Sequence, residues 1–297
     1  MDAEIKTQSD ALIFEIINAV GLPKTGRMYR LFRPFFLKPA ERMATIGVTL
    51  DRKIAEQGVA KATDQALTNW CRDVQARGKE HVPAEGPLLI VSNHAGAYDV
   101  FVICSQLERK DFKVISSDIT FFKNLPHVLD HAVFLSDEIQ DRMTATRAGI
   151  RHLQKGGSLL IFGTGLVDPD PAVYPDAEKH IERWSPSIDL FLRTALETKL
   201  LVTIVSGVLS ARWAHHPITR LRRIDWQQRR LAEFSQVLQQ LFFPGSLYLS
   251  PRISFAAPVS VETLRAESNS RQVLPAVIAR GKALLAEHIT WAKNMNR

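Results

Sequence analysis

At 297 residues, with 45% hydrophobic and 23% charged side chains, the chain is long and apolar enough to bury a large core; that excludes disorder, and 15 glycines exclude a collagen-like repeat. Two cysteines, Cys71 and Cys104, lie too far apart for a CxxC pair, so neither a disulfide framework nor a zinc ribbon is expected, and a reducing compartment is the default. Lys plus Arg exceeds Asp plus Glu by 38 − 31, a formal net charge of +7 that points to an anionic partner: a membrane surface, a phosphate-bearing substrate, an acidic protein or nucleic acid.

The first 78 residues read as helical, without a convincing strand. Ser9 is placed to cap a helix whose apolar positions Leu12, Ile13, Ile16, Ile17 and Val20 recur at helical spacing, and Gly21-Leu22-Pro23 is placed to end it. Pro39 and Ala40 suit the opening of the next helix, and Trp70 lies near the end of a further one. Between them, Arg27 to Lys38 interleaves cations with bulky apolar groups, which suits the headgroup boundary of an anionic bilayer. No run approaches the roughly 20 apolar residues of a bilayer span. Met1-Asp2-Ala3-Glu4 lacks the basic n-region of a cleaved signal peptide. The expected location is therefore peripheral, on the cytoplasmic face of a membrane.

From residue 79 short apolar runs alternate with helical stretches. Strands are expected at Pro87 to Ser92, Phe112 to Ile115, Ala132 to Leu135, Leu159 to Phe162 and Leu200 to Val205. Helices are expected at Val100 to Leu107, Gln140 to Gln154, and from a Ser187 cap to Thr198. Leu247 to Ala256 adds late strands, and Val261 to Trp291 is helical with Pro275 interrupting it. The pattern predicts an α/β fold: a mixed, largely parallel sheet flanked by helices, with residues 1–78 as an N-terminal helical, membrane-seating segment and 79–297 as the α/β domain.

The sharpest constellation is Asn93-His94-Ala95-Gly96-Ala97-Tyr98-Asp99, where an apolar strand ends and a helix begins. Loops at the carboxyl ends of strands line the ligand crevice of α/β sheets. Imidazole is a natural general base near neutral pH, and a carboxylate on its other nitrogen fixes the tautomer. His-x4-Asp alone arises by chance roughly 0.5 times in a chain of this composition; requiring Asn before the His lowers that to roughly 0.01. The pair His94 and Asp99 is thus the candidate catalytic unit.

This stretch resembles the N-H-x-x-x-x-D block of the glycerolipid acyltransferase superfamily, typified by the 1-acylglycerol-3-phosphate acyltransferases, and the resemblance covers residues 79 to about 210. It implies that His94 is the base on the acceptor's hydroxyl, that Asp99 orients it, and that an acyl thioester, acyl-CoA or acyl-carrier protein, is attacked directly with no bound cofactor. The family's second block, G-x-I-F-x-x-R, aligns with His131-Ala132-Val133-Phe134-Leu135-Ser136-Asp137: Phe134 is kept, and Asp137 stands where the phosphate-gripping Arg would be. Arg142 lies five residues on and is the candidate substitute. The third block, F-P-E-G-T-R-S, aligns with Phe162-Gly163-Thr164-Gly165, with Thr164 for the Glu and Val167 for the Arg. Asn93, Phe134, Arg142, Phe162, Gly163, Thr164 and Gly165 are the candidate substrate-binding residues, with a backbone N–H beside Gly163 or Gly165 as the oxyanion donor. A base kept while the acceptor-reading groups change implies an acceptor other than glycerol phosphate. A catalytically silent lipid- or acyl-chain-binding relative is the alternative.

Other features carry less. Asp168-Pro169-Asp170-Pro171 reads as a rigid polar turn rather than a cation site, and His215-His216 lacks a third ligand, so no metal is expected. Arg212, Arg220, Arg222, Arg223, Arg229 and Arg230, against Asp225 alone, suit lipid headgroups, coenzyme A phosphates or an acidic acyl carrier protein. No nucleic-acid module accompanies them, so nucleic acid is not an expected partner.

Overall fold

The computed structural model describes residues 3–19, 26–117, 120–135 and 139–295. Three helices come first: α1 (Ala3–Ala19), α2 (Gly26–Gln57) and α3 (Val59–Leu67). Then follow β1 (Gln75–Arg77), β2 (Leu88–Ser92), α4 (Asp99–Gln106), β3 (Phe112–Ser117), α5 (Thr120–Lys123), α6 (Pro126–Asp130), β4 (Ala132–Leu135), α7 (Ile139–Gln154) and β5 (Ser158–Phe162). The second half holds α8 (Ala177–Ile181), α9 (Ser187–Thr194), β6 (Lys199–Ser206), α10 (Ala211–Ala214) and α11 (Asp225–Phe242). It closes with β7 (Arg252–Phe255), β8 (Val259–Ser260), α12 (Val261–Ser268) and α13 (Leu274–Met295).

The strands form one sheet in the order β1-β7-β6-β2-β5-β3-β4, with β8 also on β6. All pairs are parallel except those of β7 and β8 with β6. This is the mixed, mostly parallel sheet flanked by helices that the alternating pattern predicts. β2 lies between β5 and β6 with all five residues buried, which is why Leu88 to Ser92 reads as an unbroken apolar run. Leu89 and Val91 face one core with Trp184, Phe191 and Leu285; Leu88 and Ile90 face the other with Trp70, Tyr98 and Ile103. Each such side chain contributes about 1.5–3 kcal/mol by leaving water. A third cluster, around Ile13, Ile17, Phe36, Val48 and Phe121, joins α1 and α2 to α5, with Phe234 and Leu238 of α11 packed against it.

Several local expectations are corrected. Ser9 lies inside α1 and donates its hydroxyl to the Ile5 carbonyl at 2.7 Å, so it caps nothing. Pro39 does not open a helix; it and Pro34 lie within the continuous α2. The carbonyls they free belong to Arg30 and Phe35, both at exposed positions where water can take them. β1 is a strand within the stretch read as helical: Gln75-Ala76-Arg77 has no apolar alternation and is held extended by its pairing with β7. Ser187 is the first residue of α9, and the helix ends at Thr194, four residues early, where a turn bonds the Thr198 N–H to the Ala195 carbonyl and leads into β6. Pro275 sits in the first turn of α13, where a missing N–H costs nothing. The expected stop at Gly21 to Pro23 lies outside the described residues.

Candidate active site

Asn93 and His94 extend β2 past its carboxyl end. The Asn93 amide bridges to β6: Nδ2 donates to the Val205 carbonyl and Oδ1 accepts the Val205 N–H, both at 2.9 Å. The chain then turns through Ala95 and Gly96, and Asp99 opens α4. Its Oδ2 accepts the Gly96 N–H at 3.1 Å and meets His94 Nδ1 at 2.7 Å. The Asp99 side chain is fully buried, whereas that of His94 is 27% exposed, so the imidazole keeps an open side. Phe162, at the end of β5, stacks on the ring with centroids 4.3 Å apart and planes 18° from parallel.

The loop after β5 completes the frame. The His94 N–H donates to Asp168 Oδ2 at 2.9 Å, the Asp168 N–H returns to the His94 carbonyl at 2.7 Å, and the Thr164 hydroxyl lies 2.8 Å from Asp168 Oδ1. Two residues on, fully buried Asp170 accepts the N–H groups of Ala172, Gly207, Val208 and Leu209 at 2.8–2.9 Å, binding this loop to the end of β6. The Asp-Pro-Asp-Pro run is thus the rigid polar turn expected of it. No cluster of three or more metal-binding side chains occurs among the described residues.

Charge is concentrated here. Burial pulls the His94 imidazole down, but the charge and hydrogen bond of Asp99, aided by Glu233 and Asp168, carry it up to about 9. Burial pushes the Asp170 carboxyl up to about 6 against the pull of its four N–H donors. Glu233, on α11, is raised to about 7 by burial, with His94 opposing and Asp99 reinforcing. A Cβ on Gly96 would stand 3.0 Å from Glu233 Oε1, so the carboxyl rests against the His94 turn.

The sequence-predicted residues divide. His94, Asp99, Phe162, Gly163, Thr164 and Gly165 meet at the carboxyl ends of β2 and β5. Asn93 joins strands with both ends of its amide rather than facing a substrate. The Gly163 N–H donates to the Ser92 carbonyl and the Gly165 N–H to the Phe162 carbonyl, at 2.8 and 3.2 Å, so the N–H groups of the two glycines themselves are taken up within the loop. Gly163 is required by packing: a Cβ would stand 2.3 Å from the Trp184 indole. Phe134 lies on edge strand β4, three strands or roughly 14 Å from β2, and Arg142 is exposed in the first turns of α7 beyond it. Asp137 lies outside the described residues. Glu233 was missed. Its signal is the spacing of Arg229, Glu233, Gln236 and Gln240, long polar residues recurring where an apolar stripe belongs.

A mostly parallel sheet thus presents the Asn-His-x4-Asp turn at the end of a central strand with the His–Asp contact made, the arrangement that the resemblance in sequence implies. Residues 73–176 match the family model described as Acyltransferase. No curated protein matches the sequence. Among solved structures, the chain is similar to the 1-acyl-sn-glycerophosphate (LPA) acyltransferase PlsC from Thermotoga maritima, with 16% identity over 93% of this chain and 95% of that one and a TM-score of 0.46.

Proposed function

We propose that the chain moves a fatty acyl group from an acyl thioester, acyl-CoA or acyl-carrier protein, to a hydroxyl or amine of a lipid-like acceptor other than a glycerol phosphate. The observation that carries this reading is the 2.7 Å contact between half-open His94 and fully buried Asp99. With Nδ1 held by Asp99, Nε2 is the nitrogen that takes the acceptor's proton. The acceptor oxygen or nitrogen attacks the thioester carbonyl, the C–S bond breaks, and the leaving thiolate recovers the proton from the imidazolium. Such base assistance contributes about 10²–10⁴-fold.

The acceptor reading rests on sequence: Asp137 replaces the phosphate-gripping Arg of the family's pattern, Thr164 its Glu and Val167 its second Arg. A carboxylate in that place repels a phosphate that an Arg would hold with two bonds. For the donor, exposed Arg220, Arg222 and Arg223 offer a positive surface to coenzyme A phosphates or an acidic carrier. Labelled acyl-CoA and acyl-carrier protein, each offered with lysolipid, glycolipid and amine acceptors, test both. Transfer to an uncharged or cationic acceptor is expected; efficient acylation of 1-acylglycerol-3-phosphate that persists in Arg142→Ala would overturn the acceptor reading.

The same reading seats the protein peripherally on an anionic, cytoplasmic membrane face. No described helix is long and apolar enough to cross a bilayer. Leu31, Phe35 and Phe243 are 69%, 62% and 65% exposed, Phe35 packs on Phe242 at 4.9 Å, and Arg27, Arg30 and Lys38 are exposed on the same helix α2. Arg33 pairs with Asp10 of α1 at 2.5 Å and so belongs to the helix pair instead. Each cation near an anionic surface adds about 1 kcal/mol. Sedimentation with anionic vesicles should fall in high salt and in Arg27→Glu/Arg30→Glu/Lys38→Glu; wild-type protein left in the supernatant at low salt sinks the idea.

A further inference from the structure

The acyl-transfer chemistry leaves one buried charge beside the site without a role. α11 turns polar residues toward the loops around the site, and of these Arg229, Gln236 and Gln240 each reach a backbone group elsewhere in the chain. Glu233 sits among them, 9% exposed, and its Oε1 has no hydrogen-bond partner among the described residues. That oxygen lies against Gly96, whose own N–H donates to Asp99. Asp99 Oδ1, fully buried, likewise has no partner among the described residues. Two carboxyl groups, each with a buried oxygen lacking a donor, therefore press on the one turn that carries the imidazole. Keeping both ionised in such a place costs several kcal/mol per ion unless a cation offsets them. His94, whose Nδ1 lies 2.7 Å from Asp99 Oδ2 in that same turn, is able to become that cation.

We propose that Glu233 is a positioning residue that acts through His94, its carboxylate holding the imidazolium in the resting site and thereby setting the pH at which His94 becomes a base. The inference rests on the reading of His94 as the base of acyl transfer. Glu233 Oε1 lies against Gly96 of the β2–α4 turn; the charges acting on its carboxyl are His94 and Asp99 of that turn, Asp170 of the loop after β5 and Arg230 on α11 itself, while Asp99, Glu233 and Asp168 act on His94. Among them His94 and Arg230 favour the Glu233 carboxylate, while Asp99 and Asp170 oppose it. The sign follows. An ionised neighbour favours the charged imidazolium, so it raises the pH needed to free the base. Removing that charge without changing shape must lower it.

The test is Glu233→Gln beside Glu233→Asp, read in two ways: the ¹³C-edited NMR titration of the His94 ring, assigned by its loss in His94→Ala, and the pH profile of kcat/KM with an acyl thioester. The His94 midpoint and the acid limb are both expected to move down by about one pH unit in Glu233→Gln and to stay near wild type in Glu233→Asp. Below the wild-type midpoint the Gln variant then gains several-fold in rate. A purely structural role would lower the rate at every pH and leave the limb in place. A His94 midpoint unmoved in folded Glu233→Gln overturns the proposal. A moved midpoint in protein that turns over no acyl thioester supports the coupling and overturns the acyl-transfer reading alone. Should the Gln variant not fold, wild-type protein still decides. Coupled groups titrate in two steps, so the His94 ring should show two inflections, and a single one overturns the proposal.

Discussion

The two walls of the His94 turn are built from different chemistry. On one side β2, β5 and β6 meet through ladder hydrogen bonds, their inward residues are aliphatic, and the turn is set by register. On the other side α11 offers Glu233 together with Arg229, Gln236 and Gln240, and the bonds of the last three run to Val167, Val208, Ser210, Trp70, Leu247 and Tyr98. A register cannot be moved by half a residue, so the first wall is all-or-none. A wall of side-chain hydrogen bonds changes one bond at a time. The difference assigns placement of the His94–Asp99 pair to the sheet and adjustment of its environment to the helix.

The largest effect is expected on the sheet side. His94→Ala should lower acyl transfer by about 10²–10⁴-fold with the fold intact, because it removes the base on which the proposed transfer depends. Asp99→Asn should cost less if Asp99 only orients the ring. Turnover with a purified thioester, beside circular dichroism of each variant, checks both; wild-type rates in folded His94→Ala would remove the mechanism.

The same contrast explains what the sequence made legible. Asn93 to Asp99 lie within seven consecutive positions, so the pair is legible from its spacing together with the preceding Asn and the strand end, and the strands of the parallel core announce themselves as apolar runs. Glu233 stands 139 residues from His94 in the chain, and only packing brings α11 against the turn. β1 escaped notice because its extended form comes from β7 rather than from its own three residues. Gly163 and Gly165 were readable as a tight loop, but the partners of their N–H groups are fixed by the fold and not by local pattern.

Next in size is the joint between the walls. Asp170 takes four N–H groups, three of them from Gly207 to Leu209, where the chain leaves β6 for α10 and then α11. In Asp170→Asn one oxygen becomes an NH₂ facing N–H donors. Buried donors left unpaired cost about 1–3 kcal/mol each, so a loss of about 3 kcal/mol is expected in denaturant unfolding. A loss below about 1 kcal/mol would mean that the two walls hold together without this carboxylate.

The smallest effect tests whether α11 is a polar wall at all. Gln236 is 1% exposed; its Oε1 accepts the Ser210 N–H at 2.8 Å and its Nε2 donates to the Val208 carbonyl at 2.9 Å. In an apolar core a volume-conserving change is tolerated better than a truncation, because a cavity costs more than a changed shape. At a position whose work is hydrogen bonding the order should reverse. Gln236→Leu fills the space yet leaves the N–H and the carbonyl buried without partners, whereas Gln236→Ala opens room for a water that can serve both. Gln236→Leu is therefore expected to be less stable than Gln236→Ala, by about 1 kcal/mol, in urea unfolding of the two variants. Should Gln236→Ala prove the weaker of the two, Gln236 acts by filling volume, and α11 packs on this side as an ordinary apolar helix would.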